Sequence, residues 1–161
     1  MSVIGIVAVS QNLAIGKSGR LPWHFSSDLK FFKRTTLHNA VVMGWNTWNS
    51  IGKRLPDRLN IVLSKSADLA NRPGLLLMRS LEEVLAVGEY LNCDLFVIGG
   101  EKTYGSFADV ISRWIVTEVP IDVENADAFM PRDFLEGFEL LITEQGEDDL
   151  TIKTYGRTAA A

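Results

Sequence analysis

The sequence predicts an α/β protein, a single domain built on a mostly parallel mixed sheet of about eight strands, with helices on both faces. Short continuous apolar runs rich in Val and Ile alternate with amphipathic segments, as expected for strands that are covered on both faces. The last two apolar runs instead flank an acidic turn, which is typical of an antiparallel hairpin. No repeat, low-complexity segment or linker divides the chain, so we expect one domain over residues 1–161.

The apolar runs give the strand positions. We expect a C-terminal hairpin from residues 138–143 and 150–155, joined across the turn 146–149. The remaining runs predict the parallel part of the sheet. They cover residues 3–9, 40–43, 59–63, 74–78, 95–98 and 114–119.

Capping residues and apolar periodicity give the helices. Ser26 is the expected N-cap of the first, which runs to about Leu37, because its hydroxyl can accept from unpaired backbone N–H groups. Ser80 and Glu83 form a capping box for a helix over residues 81–91. Two shorter helices are expected at 46–51, opened by Gly44 and stopped by Gly52, and at about 103–110.

Bulk composition limits the function classes. The 161 residues are 47% hydrophobic and 22% charged, which is normal for a soluble globular protein. A formal net charge of -4 argues against non-specific nucleic-acid binding. Cys93 is the single cysteine, so no intrachain disulfide can form, and with no Cys/His cluster we expect no metal site. The apolar start, MSVIGIVAVS, lacks a basic region and is interpreted as a buried strand, so we expect a cytoplasmic protein.

Asp28 is the acid that most needs an explanation. It lies one turn before Phe32 on the first predicted helix, so it leans towards the apolar face. Burial there without partners would cost several kcal/mol, about 2–7 for a neutral polar group and more for a charge. The residue alone leaves two interpretations open, an acid that stabilises the first helical turn through the helix dipole and a functional carboxylate.

Three strand-to-helix junctions are candidate ligand sites, because ligands of open α/β sheets bind beyond the carboxyl ends of the strands. Residues 44–47 form a helix start that suits a phosphate, and the alternative is an ordinary capped helix start without a ligand. Residues 64–66 place two hydroxyls and an ammonium just past a strand, although a polar turn is the alternative. Gly99 and Gly100 permit close approach of a ligand, but they are not part of a G-x-G-x-x-G fingerprint.

Seven segments together resemble the ordered signature of the dihydrofolate reductase family, from Ile6 to about Val119. They are IVAVSQNLAIGKSGRLPW, DLKFFKR, VVMGWNTWNSIG, LPDR, NIVLSKS, VIGGEKTY and IVTEV. The resemblance implies a bacterial chromosomal-type enzyme that reduces 7,8-dihydrofolate to tetrahydrofolate with NADPH, serving one-carbon and thymidylate metabolism. It also implies a dihydrofolate reductase-like fold, a monomer, and inhibition by antifolates.

The resemblance implies a catalytic group around Asp28. This acid would bind the 2-amino-4-oxo edge of the pterin and favour its protonated form, with water delivering the proton to N5. Trp23 would hold a water near the acid, Thr117 would pair with the carboxylate, and Tyr104 would lie close to the nicotinamide. The implied catalytic residues are Asp28, Trp23, Leu21, Thr117 and Tyr104.

The implied substrate site has an apolar lining and one informative cation. Arg58 would hold the carboxylate of the glutamate tail, a bidentate task that lysine performs poorly. For the apolar residues, a position in the core and a position in the pocket favour the same residue types, so the residue type does not distinguish the two. The implied set is Ile6, Val7, Asp28, Leu29, Phe32, Ser50, Ile51, Leu55, Arg58, Ile98 and Thr117.

The implied cofactor site uses all three junctions. Thr47 would contact the pyrophosphate, residues 64–66 would distinguish the 2′-phosphate of NADPH from NADH, and the Gly99–Gly100 peptide would be cis. The implied set is Val7, Ala8, Ile15, Gly16, Gly44, Trp45, Asn46, Thr47, Leu63, Ser64, Lys65, Ser66, Ile98, Gly99, Gly100, Glu101, Lys102, Thr103 and Tyr104.

Two residues depart from the family pattern in this site. Trp45 replaces the usual Arg or Lys, and Glu101 replaces a small residue beside the phosphates, so attraction to NADPH should be weaker. Trp45 could stack on the adenine instead, while Lys65 and Lys102 retain a preference for the phosphate. The loop 16–23 would close over the nicotinamide, and whether Asp127 pairs with it stays open.

Two rival functions remain. A pyrimidine reductase of riboflavin biosynthesis would share the sheet and the Gly-Gly turn, but it is not expected to carry the Leu-Pro-Trp corner with Asp28. A non-catalytic NADPH-binding module would not need Asp28 or Arg58, which both serve the substrate. His24 and His38 are interpreted as surface residues without a role.

Overall fold

The computed structural model describes residues 1–159. Its helices are α1 (Ser26–Thr36), α2 (Trp45–Ile51), α3 (Leu81–Leu91) and α4 (Glu101–Phe107). Its strands are β1 (Val3–Ser10), β2 (Ala14–Gly16), β3 (Ala40–Gly44), β4 (Leu59–Leu63), β5 (Leu75–Met78), β6 (Leu95–Gly99), β7 (Arg113–Val119), β8 (Ala128–Phe129), β9 (Phe138–Gln145) and β10 (Thr151–Arg157). None of these four helices is long and apolar enough to cross a membrane.

One eight-stranded sheet organises the fold, in the order β5-β4-β3-β6-β1-β7-β10-β9. The six strands from β5 to β7 run parallel, and β10 and β9 close the sheet as an antiparallel hairpin. This arrangement confirms the predicted fold class. The parallel strands are mostly apolar because both of their faces are covered.

The core consists of two apolar clusters that the central strands separate. Along β1, Val3 and Val7 belong to the first cluster, whereas Ile4 and Ile6 belong to the second. This alternation follows from the period of two in a strand. Between them, Gly5 is required because a Cβ there would lie 2.4 Å from the Trp114 ring.

One edge strand of the sheet is β9. Leu140, Leu141 and Ile142 are each about half exposed there, at 51%, 53% and 53%. The pairing of β9 with β10 shifts register between Thr154 and Tyr155, so one residue of β9 is left without a partner at this bulge.

The predicted cap of α1 is wrong. The N-cap is Phe25, in an extended conformation and without a side-chain bond, and Ser26 is the first helical residue. The Phe25 carbonyl accepts from the backbone N–H groups of Asp28 and Leu29, at 3.1 and 3.3 Å, so backbone bonds close the first turn without a hydroxyl. The Ser27 hydroxyl instead donates to Asp148 at 2.9 Å.

The predicted bounds of α4 are also wrong, because the helix starts at Glu101 and ends at Phe107. Gly100 supplies the extended N-cap, and its carbonyl accepts from the Tyr104 N–H at 2.9 Å, so the helix begins two residues earlier than expected. The cap of α3 is confirmed, since the Ser80 side chain accepts from the Glu83 N–H. The Glu83 carboxylate, however, accepts from the Arg79 N–H at 2.9 Å.

Candidate active site

Two predicted junctions meet where β3 and β6, which are neighbours in the sheet, reach their carboxyl ends. A Cβ built on Gly44 would lie 2.6 Å from the Thr103 hydroxyl, so only glycine lets α4 approach this closely. Cβ atoms built on Gly99 and Gly100 would lie 3.6 and 3.5 Å from the Thr47 hydroxyl. Two threonine hydroxyls therefore border the glycine-rich edge, and the Gly99–Gly100 peptide is cis, as expected.

Tyr104 is part of the framework of this edge. Its hydroxyl donates to the Ile6 carbonyl at 2.7 Å and joins α4 to β1. Burial raises the pKa of Tyr104, so the phenol stays protonated at physiological pH. Because its proton is directed to a backbone carbonyl, Tyr104 can position a ligand but does not supply it with a proton.

Asp28 lies in the first turn of α1 and interacts with Thr117, which is 3% exposed in the middle of β7. Burial raises the pKa of Asp28 above its usual 3.8, and the hydrogen bond with Thr117 lowers it by a smaller amount. Within residues 1–159 the single ion pair is Lys153–Glu118, so no cation neutralises this carboxylate. The arrangement is that of a carboxylate held ready for a cationic or hydrogen-bond-donating partner.

Trp23 carries the one buried side-chain nitrogen or oxygen of the described residues that has no hydrogen-bond partner. A buried donor of this kind costs free energy unless it meets an acceptor, so the indole N–H fits a site that receives a polar group. Leu21, at the other end of the same Leu-Pro-Trp corner, is 51% exposed.

The loop before this corner is joined to the segment around Asp127. The Asp127 carboxylate accepts from the Ser18 N–H at 2.8 Å, and its own N–H donates to the Gly16 carbonyl at 3.2 Å. The short strands β2 and β8 pair antiparallel beside it. Asp127 therefore does pair with the loop 16–23.

Arg58 is a buried cation with its guanidinium already oriented. It is 8% exposed, its Nε donates to the Pro56 carbonyl at 2.9 Å, and its Nη1 donates to the Thr36 hydroxyl at 3.2 Å. The guanidinium carbon lies 5.9 Å from the centre of the Phe32 ring. Burial lowers the pKa of Arg58 and the neighbouring Asp57 raises it, so the group remains a cation at neutral pH.

The loop that carries Arg58 is built around Asn60, which is fully buried in β4. The Asn60 amide accepts from the Leu55 N–H at 2.8 Å and donates to the Leu55 carbonyl at 2.9 Å and the Arg58 carbonyl at 3.0 Å. The sequence analysis missed this residue. Its signal was an amide within an apolar strand, where a buried polar group needs partners.

The segment 64–66 also has a partner that sequence reasoning missed. Arg79 directly follows β5 and donates to the carbonyls of Ser64 and Ala67 at 3.2 and 2.6 Å. The Ser64 hydroxyl accepts from the Ala67 N–H at 3.0 Å and shapes the turn, while Lys65 and Ser66 are exposed. A second cation therefore stands beside Lys65.

The remaining predicted residues divide between the two clusters. Glu101, at the start of α4, accepts from the Phe129 N–H at 3.4 Å and so contacts β8. Leu29 and Ser50 are exposed. The predicted substrate residues Phe32, Ile51, Leu55 and Ile98 pack against the second cluster, which contains Ile6, and so does the predicted cofactor residue Trp45. The first cluster contains Val7 and Tyr104, and Ile15 and Leu63 pack against it. Residues 1–159 hold no group of three or more His, Cys, Asp or Glu suited to a metal ion.

A mostly parallel open sheet with glycine-rich strand ends is typical of α/β proteins that bind their ligands beyond the carboxyl ends of the strands. The family model described as "Dihydrofolate reductase" matches residues 2–157. The chain therefore belongs to the dihydrofolate reductase family.

Individual relatives agree with this assignment. The dihydrofolate reductase of Neisseria meningitidis is 39% identical over 127 residues, 78% of this chain and 76% of the relative. That of Bacillus subtilis is 34% identical over 144 residues, 89% of this chain and 84% of the relative. Among solved structures, the Enterococcus faecalis dihydrofolate reductase complexed with NADP(H) and RAB-propyl superposes with a TM-score of 0.89, at 31% identity, covering 98% of this chain and 97% of that one.

Proposed function

We propose that this chain reduces 7,8-dihydrofolate to 5,6,7,8-tetrahydrofolate with NADPH, and that Asp28 is the acid that makes the pterin reactive. The observation that carries the proposal is the half-buried Asp28 carboxylate with Thr117 as its partner and without a cation. The edge of a pterin donates two hydrogen bonds, and the ring accepts a proton close to that edge. Such a ligand supplies the partner that the Asp28 carboxylate lacks. A rival pyrimidine reductase is not expected to carry the Leu-Pro-Trp corner with this acid, and a non-catalytic NADPH-binding module would need neither Asp28 nor Arg58.

When bound, NADPH would supply the hydride that reduces C6 of the substrate. The residues present fit such a group: glycine at positions 44, 99 and 100 leaves room for close approach, and the Thr47 and Thr103 hydroxyls border that room. Tyr104 would lie beside the nicotinamide, and its hydrogen bond to the Ile6 carbonyl would keep the tyrosine side chain in position. The protein's contribution is to orient the two reactants and exclude water.

Asp28 promotes protonation of the substrate. As a carboxylate it binds the 2-amino-4-oxo edge and stabilises positive charge on the pterin, which favours protonation of N5 by water. Desolvation strengthens this electrostatic effect because less solvent screens the charge. Trp23 has an unpaired buried indole N–H that can fix a water near the acid.

Arg58 holds the other end of the substrate. With Nε bound to Pro56 and Nη1 to Thr36, the guanidinium is fixed while it retains N–H groups for a carboxylate of the glutamate tail. Fixing the group in advance lowers the entropy lost on binding. The loop 16–23 closes over the nicotinamide, with Asp127 as its anchor.

Cofactor preference rests on the cations at the ends of β4 and β5. Lys65 and Arg79 serve the 2′-phosphate and offset the loss of a cation at Trp45. The Glu101 carboxylate, engaged with Phe129, is oriented by the loop segment and repels the phosphates less than an unengaged acid would. Preference for NADPH over NADH is the result.

The cellular setting and the oligomeric state are proposed from composition and family membership. We propose that residues 1–161 form one domain that works as a cytoplasmic monomer and is inhibited by antifolates. A single cysteine, Cys93, suits a reducing compartment, and burial raises the pKa of its thiol, which keeps it unreactive. Light scattering with purified protein tests the monomer.

The direct test follows NADPH oxidation at 340 nm with dihydrofolate as substrate. The wild type should turn over, and Asp28→Asn should be severely impaired at pH 7 while NADPH binding, measured by fluorescence, stays intact. A wild type that binds NADPH but leaves dihydrofolate unchanged would contradict the proposal.

A further inference from the structure

Asn60 is a fully buried amide in an apolar part of the sheet. On β4 it lies between Val41 of β3 and Leu75 of β5, which are both fully buried members of the second cluster. An amide in such surroundings is destabilising unless its polar atoms find partners within the protein. Within residues 1–159, the Asn60 side chain bonds only to the backbone of residues 55–58, which we call the arginine loop.

The three hydrogen bonds of Asn60 hold the arginine loop at both ends. At its start, the Leu55 N–H donates to Asn60 Oδ1 at 2.8 Å, and the Leu55 carbonyl accepts from Nδ2 at 2.9 Å. At its end, the Arg58 carbonyl accepts from the same Nδ2 at 3.0 Å. An amide is suited to this task because it presents an acceptor and two donors on one rigid plane. One side chain therefore fixes the backbone of the residue that carries the guanidinium.

The backbone between the two ends of the arginine loop requires such support. Asp57 has a φ of +60°, in the left-handed region, which is unfavourable for a residue with a Cβ atom. It separates Arg58 from Pro56, whose carbonyl accepts from Arg58 Nε at 2.9 Å. If the Asp57 backbone relaxed, this carbonyl and the guanidinium would move relative to each other. The Asn60 bonds on either side of Asp57 oppose that relaxation.

We infer that Asn60 is a positioning residue for the tail of the substrate, which acts through the arginine loop by holding Arg58 in the orientation that receives a carboxylate. This inference rests on the proposed function, because it takes Arg58 as the cation that binds the glutamate tail. A guanidinium binds a carboxylate through two parallel N–H groups, so a small shift of the loop removes one of the two bonds. Asn60 is fully buried and acts only through Arg58, so its effect is confined to the affinity for substrates that carry a tail.

The experiment compares dihydrofolate with 6-methyl-7,8-dihydropterin, which has the same ring system but no glutamate tail. Asn60→Leu keeps the approximate volume of the side chain and removes all three bonds, and Asn60→Asp is a milder variant that keeps the acceptor for the Leu55 N–H. We expect Asn60→Leu to raise KM for dihydrofolate by about 5–30-fold, part of the effect of losing a hydrogen bond to a charged group, and Asn60→Asp to raise it less. KM for the dihydropterin, kcat with dihydrofolate and Kd for NADPH should stay at their wild-type values.

Asn39→Leu is the matched control, because it removes another amide that bridges backbone groups. The Asn39 side chain donates to the Leu37 carbonyl at 3.2 Å and accepts from the Asp94 N–H at 3.1 Å, both outside the arginine loop. Asn39→Leu should lower the melting temperature, as Asn60→Leu does, and leave KM for dihydrofolate unchanged. The control therefore separates positioning of Arg58 from a general loss of stability.

A double-mutant cycle with Arg58→Leu tests whether Asn60 acts through the guanidinium. Asn60→Leu should add little to the KM of Arg58→Leu, because no guanidinium is left to position. Equal changes for both substrates, an additive effect in the cycle, or an unchanged KM for dihydrofolate in both Asn60 variants would overturn the inference. A wild type that does not reduce dihydrofolate would instead contradict the proposed function.

Discussion

The Thr36 hydroxyl accepts from Arg58 Nη1 at 3.2 Å and donates to the Phe32 carbonyl at 2.8 Å. The last turn of α1 thus orients the cation that is proposed to hold the substrate tail. Thr36 is fully buried, so this contact is shielded from competing water.

Thr36→Val should weaken substrate binding although Thr36 does not touch the substrate in this proposal. The change keeps the side-chain shape and removes the acceptor for Arg58, so the guanidinium loses one of its fixed contacts. We expect KM for dihydrofolate to rise by about 3–10-fold, a part of the value of a hydrogen bond to a charged group. Steady-state kinetics measure it, and Thr36→Ser, which restores the acceptor, should recover most of the affinity.

Arg58→Leu should raise KM for dihydrofolate much more, by about 10–150-fold, because a charged hydrogen bond contributes about 1.5–3 kcal/mol. NADPH binding, followed by fluorescence quenching, should stay near the wild-type value. An unchanged KM would mean that the glutamate tail is held elsewhere.

Asp28→Asn should lower kcat at pH 7 by about 10²–10⁴-fold, the usual contribution of general acid–base catalysis. The variant keeps the size of the side chain and its hydrogen bonds but loses the charge that favours a protonated pterin. Solution can supply the proton at low pH, so activity should partly recover as pH falls. A profile of kcat against pH that runs parallel to the wild type would contradict this role.

The same variant should be more stable than the wild type at pH 7. Burial raises the folded-state pKa of Asp28 above 3.8, so between 3.8 and that raised pKa the folded protein binds more protons than the unfolded chain. The unfolding free energy of the wild type therefore falls as pH rises through this window, whereas Asn does not titrate. Urea unfolding should find the variant's advantage larger at pH 7 than near pH 3.5, and a lower stability at pH 7 would identify Asp28 as a helix-stabilising acid.

Trp45→Arg should increase selectivity for NADPH over NADH. The change restores a cation near the phosphates, where Lys65 and Arg79 already act, and an exposed ion pair is worth about 2–5-fold in affinity. KM for NADPH should fall while KM for NADH stays the same. Equal efficiency of the wild type with both cofactors would show that the 64–66 segment does not recognise a 2′-phosphate.

The sequence predicted the strands of the large sheet well because their signal is local. Each is a continuous apolar run, and the Ser80 cap likewise depends on a residue only three positions away. The strands β2 and β8 were missed, since pairs of three and two residues carry no periodicity and form only when distant loops meet. Ser26 was misplaced because a hydroxyl at a helix start does not reveal which residue the backbone bonds select as the cap.

The candidate site could be predicted only where one residue type suits one task. Asp28 and Arg58 were assigned roles because they match residues of the family signature, since Asp28 alone left two interpretations open. Arg79 was not found, because its approach to the 64–67 turn follows from the parallel pairing of β4 with β5. Asn60 orders a loop through hydrogen bonds to backbone atoms of residues that precede it in the sequence. A local sequence pattern does not indicate such bonds.

The exposed edge of the sheet has a consequence for the chain in concentrated solution. Strand β9 offers three consecutive half-exposed aliphatic residues beside unpaired backbone groups, which is the arrangement that recruits a strand from another molecule. The bulge near Tyr155 and the acidic neighbours Glu139 and Glu144 oppose such pairing by distorting and charging the edge. If the β9–β10 hairpin opened, the bulge would be lost and the edge would no longer be distorted. Storage conditions that keep the hairpin closed should therefore also keep the protein from aggregating.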